Sequence, residues 1–418
     1  MMNRKNPPVL NKFKEIPFLK PKVFKLNQDT NLYWTGSVPN STARIELYFD
    51  AGAIRGKSSL ASFTSGLLFS GTKHNTSVEI QKKLDSYGAY KDVFLSSEEC
   101  VVTIYALNSM ITSAFLEVCK SIEGTIFPSS ELEELRSQKK QNLNISLEKV
   151  GVLSKRKFHQ EIFSGTNYSN VTTQSDIENI SRGEVIEFHK NHVLNGLKMI
   201  TVVGDIKQVE IDQIINKTSA WAIDKYPSFI SDFQSNTGLF NIEKESALQS
   251  AIRVGKIMFN KSHPDFMDFF ILNTVFGDYF GSRLMMNLRE DKGFTYGVGS
   301  FVSELHASGI FTVATEVGKE HKQAAVDEIR AEIIKITNEL IPDEELLLVK
   351  NYLLGQLLKS ADGPYAMTDL YVGLLKKGLG FEFYNAFIER IYTINSDDLL
   401  QSAQKHLKWD EMTVITAG

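Results

Sequence analysis

The sequence is short of the groups that staple small or exported proteins. Of 418 residues only two are cysteine, Cys100 and Cys119. Their spacing fits neither a metal site nor a disulfide framework, so two free, partly buried thiols are expected. No window approaches the run of about 18 apolar residues that a membrane-spanning helix needs. Neither charge sign dominates: Lys and Arg total 46 against 50 Asp and Glu, for a net charge of −4. That balance gives no electrostatic case for binding nucleic acid or an anionic membrane. The N-terminus, MMNRKNPPVLNKFKEIPFLKPKVFKL, is basic but lacks the apolar core of a secretory signal. A cytoplasmic location is expected ahead of a periplasmic one. Also missing are a G-x-S-x-G elbow, a Walker loop and a dinucleotide fingerprint.

What is present is the composition of a globular protein, 42 % apolar and 23 % charged. A chain of this length can bury sizeable cores unaided. Residues 44–51, 100–107, 197–205, 251–259, 294–303, 309–317 and 412–418 read as strands. Residues 60–69, 78–90, 111–127, 129–149, 265–290 and 319–339 read as helices, with Gly88 and Ser130 as expected caps. Further helices are expected near Pro342 and over 363–376. Residues 177–204 align with 391–418 without a gap, each a capped helix followed by a β-run that ends in glycine. An unbroken register of that kind points to duplication. Pro, Gly, Ser and Asn interrupt the periodicity between the halves. The division expected is an N-terminal domain over 1–222, a linker over 223–240 and a C-terminal domain over 241–418. The fold class expected is α+β: two duplicated domains, each a mostly antiparallel sheet with helices on one face.

The stretch LASFTSGLLFSGT (60–72) has the frame of a catalytic helix without catalytic side chains. Followed by TSVEIQKKLDSYGAY, it resembles the pitrilysin and mitochondrial-processing-peptidase family of zinc peptidases, the inverzincins. In that family the helix carries H-x-x-E-H. The frame is kept at Ala61, Phe63, Leu67, Leu68, Phe69, Gly71 and Thr72. The resemblance places the two histidine positions at Ser62 and Gly66 and the glutamate position at Ser65. It places the third ligand, a glutamate on a long downstream helix, at Asn142. Zinc takes imidazole, thiolate or carboxylate donors. Serine hydroxyls, an amide and a bare glycine are poor substitutes, so no metal and no cofactor is expected on this chain. Elsewhere, His189 and His192 read as surface or capping histidines, and Glu98 and Glu99 as a solvated turn.

The second half keeps FGDYFGSRLMMNLREDKGFTYGVGSF (276–301). This is similar to the family's other signature, in which an arginine and a tyrosine face the zinc across a chamber. The resemblance implies that Arg289 and Tyr296 bind substrate and stabilise the oxyanion. It also implies a heterodimer, with zinc in a homologous partner subunit that carries H-x-x-E-H and an unfolded peptide as substrate. The alternative is an inactive structural or peptide-binding scaffold of the same fold. A serine hydrolase built on Ser62 or Ser65 is disfavoured, because no histidine is placed to act as base.

Overall fold

The computed structural model describes residues 13–418. The reading of the N-terminus as free of an export signal rests partly on residues 1–12, which lie outside the described residues. The first half runs β1 (Lys22–Lys25), β2 (Asn31–Thr35), β3 (Thr42–Phe49), α1 (Leu60–Gly66), α2 (Ser77–Ser86), β4 (Tyr90–Leu95), β5 (Cys100–Leu107), α3 (Ile111–Gly124), α4 (Ser129–Leu147), α5 (Val150–Ile162), α6 (Gln174–Glu178), α7 (Arg182–Phe188), β6 (Leu197–Val203) and α8 (Gln208–Thr218). The second runs β7 (Gly238–Ile242), β8 (Gln249–Met258), α9 (Phe266–Phe276), β9 (Val298–Glu304), β10 (Gly309–Gly318), α10 (Lys322–Asn338), α11 (Asp343–Ser360), α12 (Gly363–Leu375), α13 (Glu382–Thr393), α14 (Ser396–His406) and β11 (Thr413–Ala417).

The strands form two sheets, ordered β1-β2-β6-β3-β5-β4 and β7-β11-β8-β10-β9. Without β1 the two orders are the same. In each sheet one pair is parallel, β2 with β6 and β7 with β11, and every other pair is antiparallel. The chain is thus an α+β duplication. The repeat extends to individual hydrogen bonds. Ser181 and Asn395 cap α7 and α14 through capping boxes closed by Glu184 and Asp398. Gly204 and Gly418 end the two repeats at φ 154° and 132°. A Cβ on Gly204 would lie 2.5 Å from the Ala43 side chain, and one on Gly418 would lie 2.5 Å from the Gln249 carbonyl. Glycine is therefore required at both places.

Each half has its own core on the helix-bearing face of its sheet. Phe49, Phe63 and Phe115 are sealed in the first; Phe269, Phe276 and Phe311 are sealed in the second. The opposite faces are covered by exchange. Helix α5 leaves the first half and lays Phe158 and Ile162 against Ile310 and Ile415 of the second sheet. Helix α12 leaves the second half and lays Val372 against Tyr48, Val101 and Met199 of the first. The segment between the halves is packed as well, with the Phe233 ring against Phe163 and Tyr168.

Some local expectations change. Helix α4 starts after Pro128 rather than being capped by Ser130, and no side chain caps it. The helix expected over 265–290 is broken at Gly277, where a Cβ would lie 2.4 Å from Ser300 Oγ. It resumes as a π-helical turn over Met285–Asp291. Both cysteines are fully buried and free, and burial pushes the Cys100 thiol up to about 12. Among the described residues no helix is long and apolar enough to cross a membrane.

Candidate functional site

On α1 the hydroxyls are engaged by their own helix. Ser62 Oγ donates to the Ser59 carbonyl (3.0 Å), and Ser65 Oγ donates to the Ser62 carbonyl (3.4 Å). Gly66 is exposed and offers no side chain; a Cβ there would lie 3.1 Å from Leu135 Cδ2 of α4. One turn further along α4, the Lys139 ammonium lies 5.4 Å from the ring centroid of Phe63. Burial pushes that lysine's pKa down. Asn142 is exposed on α4. This donor set does not suit zinc: two hydroxyls bound to carbonyls, an amide in solvent, and a glycine with no side chain. Among the described residues no three His, Cys, Asp or Glu side chains gather in a way that could hold a metal ion.

The remaining histidines and acids behave differently from expectation. His189 is 5 % exposed rather than a surface group, and its ring meets Phe127 edge-on. Burial lowers its pKa to about 4. His192 shares a 2.9 Å hydrogen bond through Nδ1 with the Asp50 carbonyl oxygen. Glu98 and Glu99 are not a solvated turn; they join the two halves. Glu98 accepts from the His306 backbone N–H (2.8 Å) and from the Tyr168 hydroxyl (2.8 Å). Glu99 pairs with Lys198 (3.3 Å) and with Lys376 of the other half. The sequence held a faint signal, because two acids directly before the buried strand β5 are set close to the sheet interior.

A cavity of about 690 Å³ lies on the face of the second sheet that α5 covers, beside the first turn of that helix. Strand β8 supplies Arg253, the loop after α9 supplies Asp278, Tyr279 and Phe280, and the loop before β9 supplies Tyr296. Tyr296 is 93 % exposed and sits in that loop, not at the head of a strand. Arg289 comes from the π-helical turn, its guanidinium 4.6 Å from the Phe280 ring centroid. Its ion pair with Glu290 is 3.4 Å long and half exposed, a weak restraint. Tyr296 thus lines the cavity directly, Arg289 meets it only through its contact with Phe280, and no hydrogen bond joins the two among the described residues. Among the described residues Asp278 carries no side-chain hydrogen bond, and burial raises its pKa to about 6.

The two halves match two models of one family. Residues 35–176 match the one described as Insulinase (Peptidase family M16), and residues 179–353 match Peptidase M16 inactive domain. The chain belongs to peptidase family M16. This is the pitrilysin family whose frame surrounds residues 60–72, here with a degenerate zinc motif. Relatives carry both kinds of name. An uncharacterized zinc protease of Rickettsia felis is 21 % identical over 356 residues, covering 83 % of this chain and 84 % of that one. The non-peptidase homolog YmxG of Helicobacter pylori is 24 % identical over 374 residues, covering 85 % and 83 %. The probable inactive metalloprotease YmfF of Bacillus subtilis is 18 % identical over 291 residues, covering 68 % and 67 %. Among solved structures, a peptidase M16 inactive domain from Pseudomonas fluorescens superposes with a TM-score of 0.84 at 19 % identity, covering 95 % and 98 %. A Helicobacter pylori protease gives 0.83 at 14 %, covering 96 % and 99 %. Within M16, this chain is a peptidase homologue with Ser62, Ser65 and Gly66 in the frame of the zinc helix.

Proposed function

We propose that this chain is the substrate-holding half of a composite M16 peptidase whose zinc sits in a homologous partner bearing H-x-x-E-H. The observation that carries the reading is an asymmetry. The zinc positions of α1 hold two hydroxyls spent on backbone carbonyls and a glycine with no side chain, while Tyr296 lines an open cavity and Arg289 lies against Phe280 of its lining, held otherwise by one weak ion pair with Glu290. A permanent cation and a phenol O–H are suited to a carbonyl oxygen that gains negative charge. Exposed Phe280 and Phe301 beside them offer apolar contact to an extended peptide.

The test is reconstitution. A homologous chain with an intact zinc motif is co-expressed with this one, and cleavage of an unfolded peptide is followed. This chain alone is expected to cleave nothing, and the pair to cleave. Tyr296→Phe and Arg289→Ala are each expected to lower kcat about 100-fold or more while the complex still forms, the usual cost of losing one oxyanion donor. Cleavage by this chain alone, or unchanged turnover in both variants, would falsify the assignment. The names of the Helicobacter and Bacillus relatives favour a second reading, a subunit that holds peptides without cleavage. Peptide binding without turnover in every reconstituted pair selects it.

A further inference from the structure

Arg253 lies in the middle strand of the second sheet and lines the 690 Å³ cavity. Among the described residues its guanidinium makes no hydrogen bond and no ion pair, and Nε is sealed from solvent without a partner. The opposing charge that acts on it is Glu316, on the neighbouring strand, without a hydrogen bond or ion pair between them among the described residues. Glu316 is itself exposed and leans toward Gly151 in the first turn of α5. A half-buried guanidinium without a partner is costly, and a structure that keeps one beside a cavity has left a binding position open.

We propose that Arg253 is a specificity residue of this cavity that binds a carboxylate of the peptide held there. The planar guanidinium fork matches a carboxylate in two parallel hydrogen bonds, which a lysine could not reproduce. Phe280, Tyr296 and Phe301 surround the position and accept the apolar parts of the same peptide. Two sources present that chemistry, the C-terminal α-carboxylate and an Asp or Glu side chain. The inference rests on the peptide-holding reading above, and it adds a residue that the Arg289 and Tyr296 pair does not require.

The experiment measures fluorescence anisotropy of the full chain with four short labelled peptides of otherwise identical sequence. They combine a C-terminal acid or amide with an internal Glu or Gln. At least one carboxylate-bearing peptide is expected to bind about tenfold tighter than the peptide with neither, the scale of a charge-assisted hydrogen bond. The acid alone identifies the α-carboxylate as source, and the internal Glu alone identifies the side chain. Arg253→Gln is expected to erase the preference and Arg253→Lys to keep part of it, with thermal unfolding confirming that both fold. Equal binding of all four peptides by the unaltered chain, or a preference that survives Arg253→Gln, overturns the assignment of Arg253 alone. Failure of all four to bind overturns the peptide-holding reading and this inference with it.

Discussion

Helices α12 and α5 cross between the halves to do the same task, and they leave different seams behind them. Under α12 the first sheet is closed chemically. Arg44 reaches Asp369 with both terminal nitrogens, Nη1 to Oδ2 at 3.2 Å, and lies 5.2 Å from the Tyr365 ring. Glu46 accepts from Tyr48 (2.9 Å) and Thr201 (2.8 Å) and pairs with Arg44 (3.4 Å). Under α5 the second sheet faces Gly151 and Ser154, and a cavity lies between them. The register makes the contrast sharp. Glu46 pairs with Thr201 and Arg253 with Ile415, each three residues before the glycine that closes its repeat. At one position of a duplicated sheet, one copy holds a satisfied acid and the other an unsatisfied base. Duplication preserved the backbone and the covering helix, and side-chain chemistry diverged where one seam could be left open.

The widest difference between the seams is tested by removing the paired charges. Glu46→Ala strips Arg44, which is 4 % exposed, of one partner and leaves the Tyr48 and Thr201 hydroxyls unsatisfied. A loss of about 3–5 kcal/mol in urea unfolding is expected. Arg253→Leu, at the matching place, is expected to be neutral or stabilising, because an unpaired half-buried charge gives way to an apolar group. Equal losses in the two variants would end the comparison.

Asp278 sharpens the open seam further. Its folded pKa of about 6 lies above the ordinary carboxylate value of 3.8, raised by burial alone. Between those values the folded state binds more protons than the unfolded chain, so stability falls as pH rises through that window and stays lower above it. Asp278→Asn is expected to stabilise the protein by about 1 kcal/mol at pH 7, a figure discounted for partial exposure. The gain should vanish below about pH 4, where both carboxyl forms are protonated. A gain independent of pH would assign the effect to packing.

The frame of this architecture was legible in the sequence because it is carried by periodicity and caps. The gapless match of 177–204 with 391–418 gave the duplication, and Ser181 and Asn395 are the caps that the pattern implied. The emptied zinc helix was legible because Ser62, Ser65 and Gly66 lack donors of any strength. The seams were not legible. Nothing in the spacing of Arg44, Tyr365 and Asp369, or of Gly151, Arg253 and Glu316, shows that helices exchange between halves. Those contacts bridge hundreds of positions and depend on which sheet face each helix meets. Glu98 and Glu99 were misread for the same reason, since their partners Lys376 and His306 lie in the other half.

The smallest expected effect falls at the residue that keeps the second seam open. Gly151 lies in the first turn of α5, and a Cβ there would stand 2.2 Å from Glu316 Oε1. The contact is with the far end of an exposed, flexible side chain, so Glu316 can turn into solvent. Alanine is worth about 1 kcal/mol over glycine inside a helix, and less in a first turn that is already partly ordered by packing. Gly151→Ala is therefore expected to raise stability by about 0.5 kcal/mol in urea unfolding. Moving Glu316 also takes an opposing charge away from Arg253, so carboxylate-bearing peptides should bind slightly tighter. A loss of about 1 kcal/mol or more would mean that Glu316 is held in place against Gly151, and the second seam would then be closed by design rather than left open.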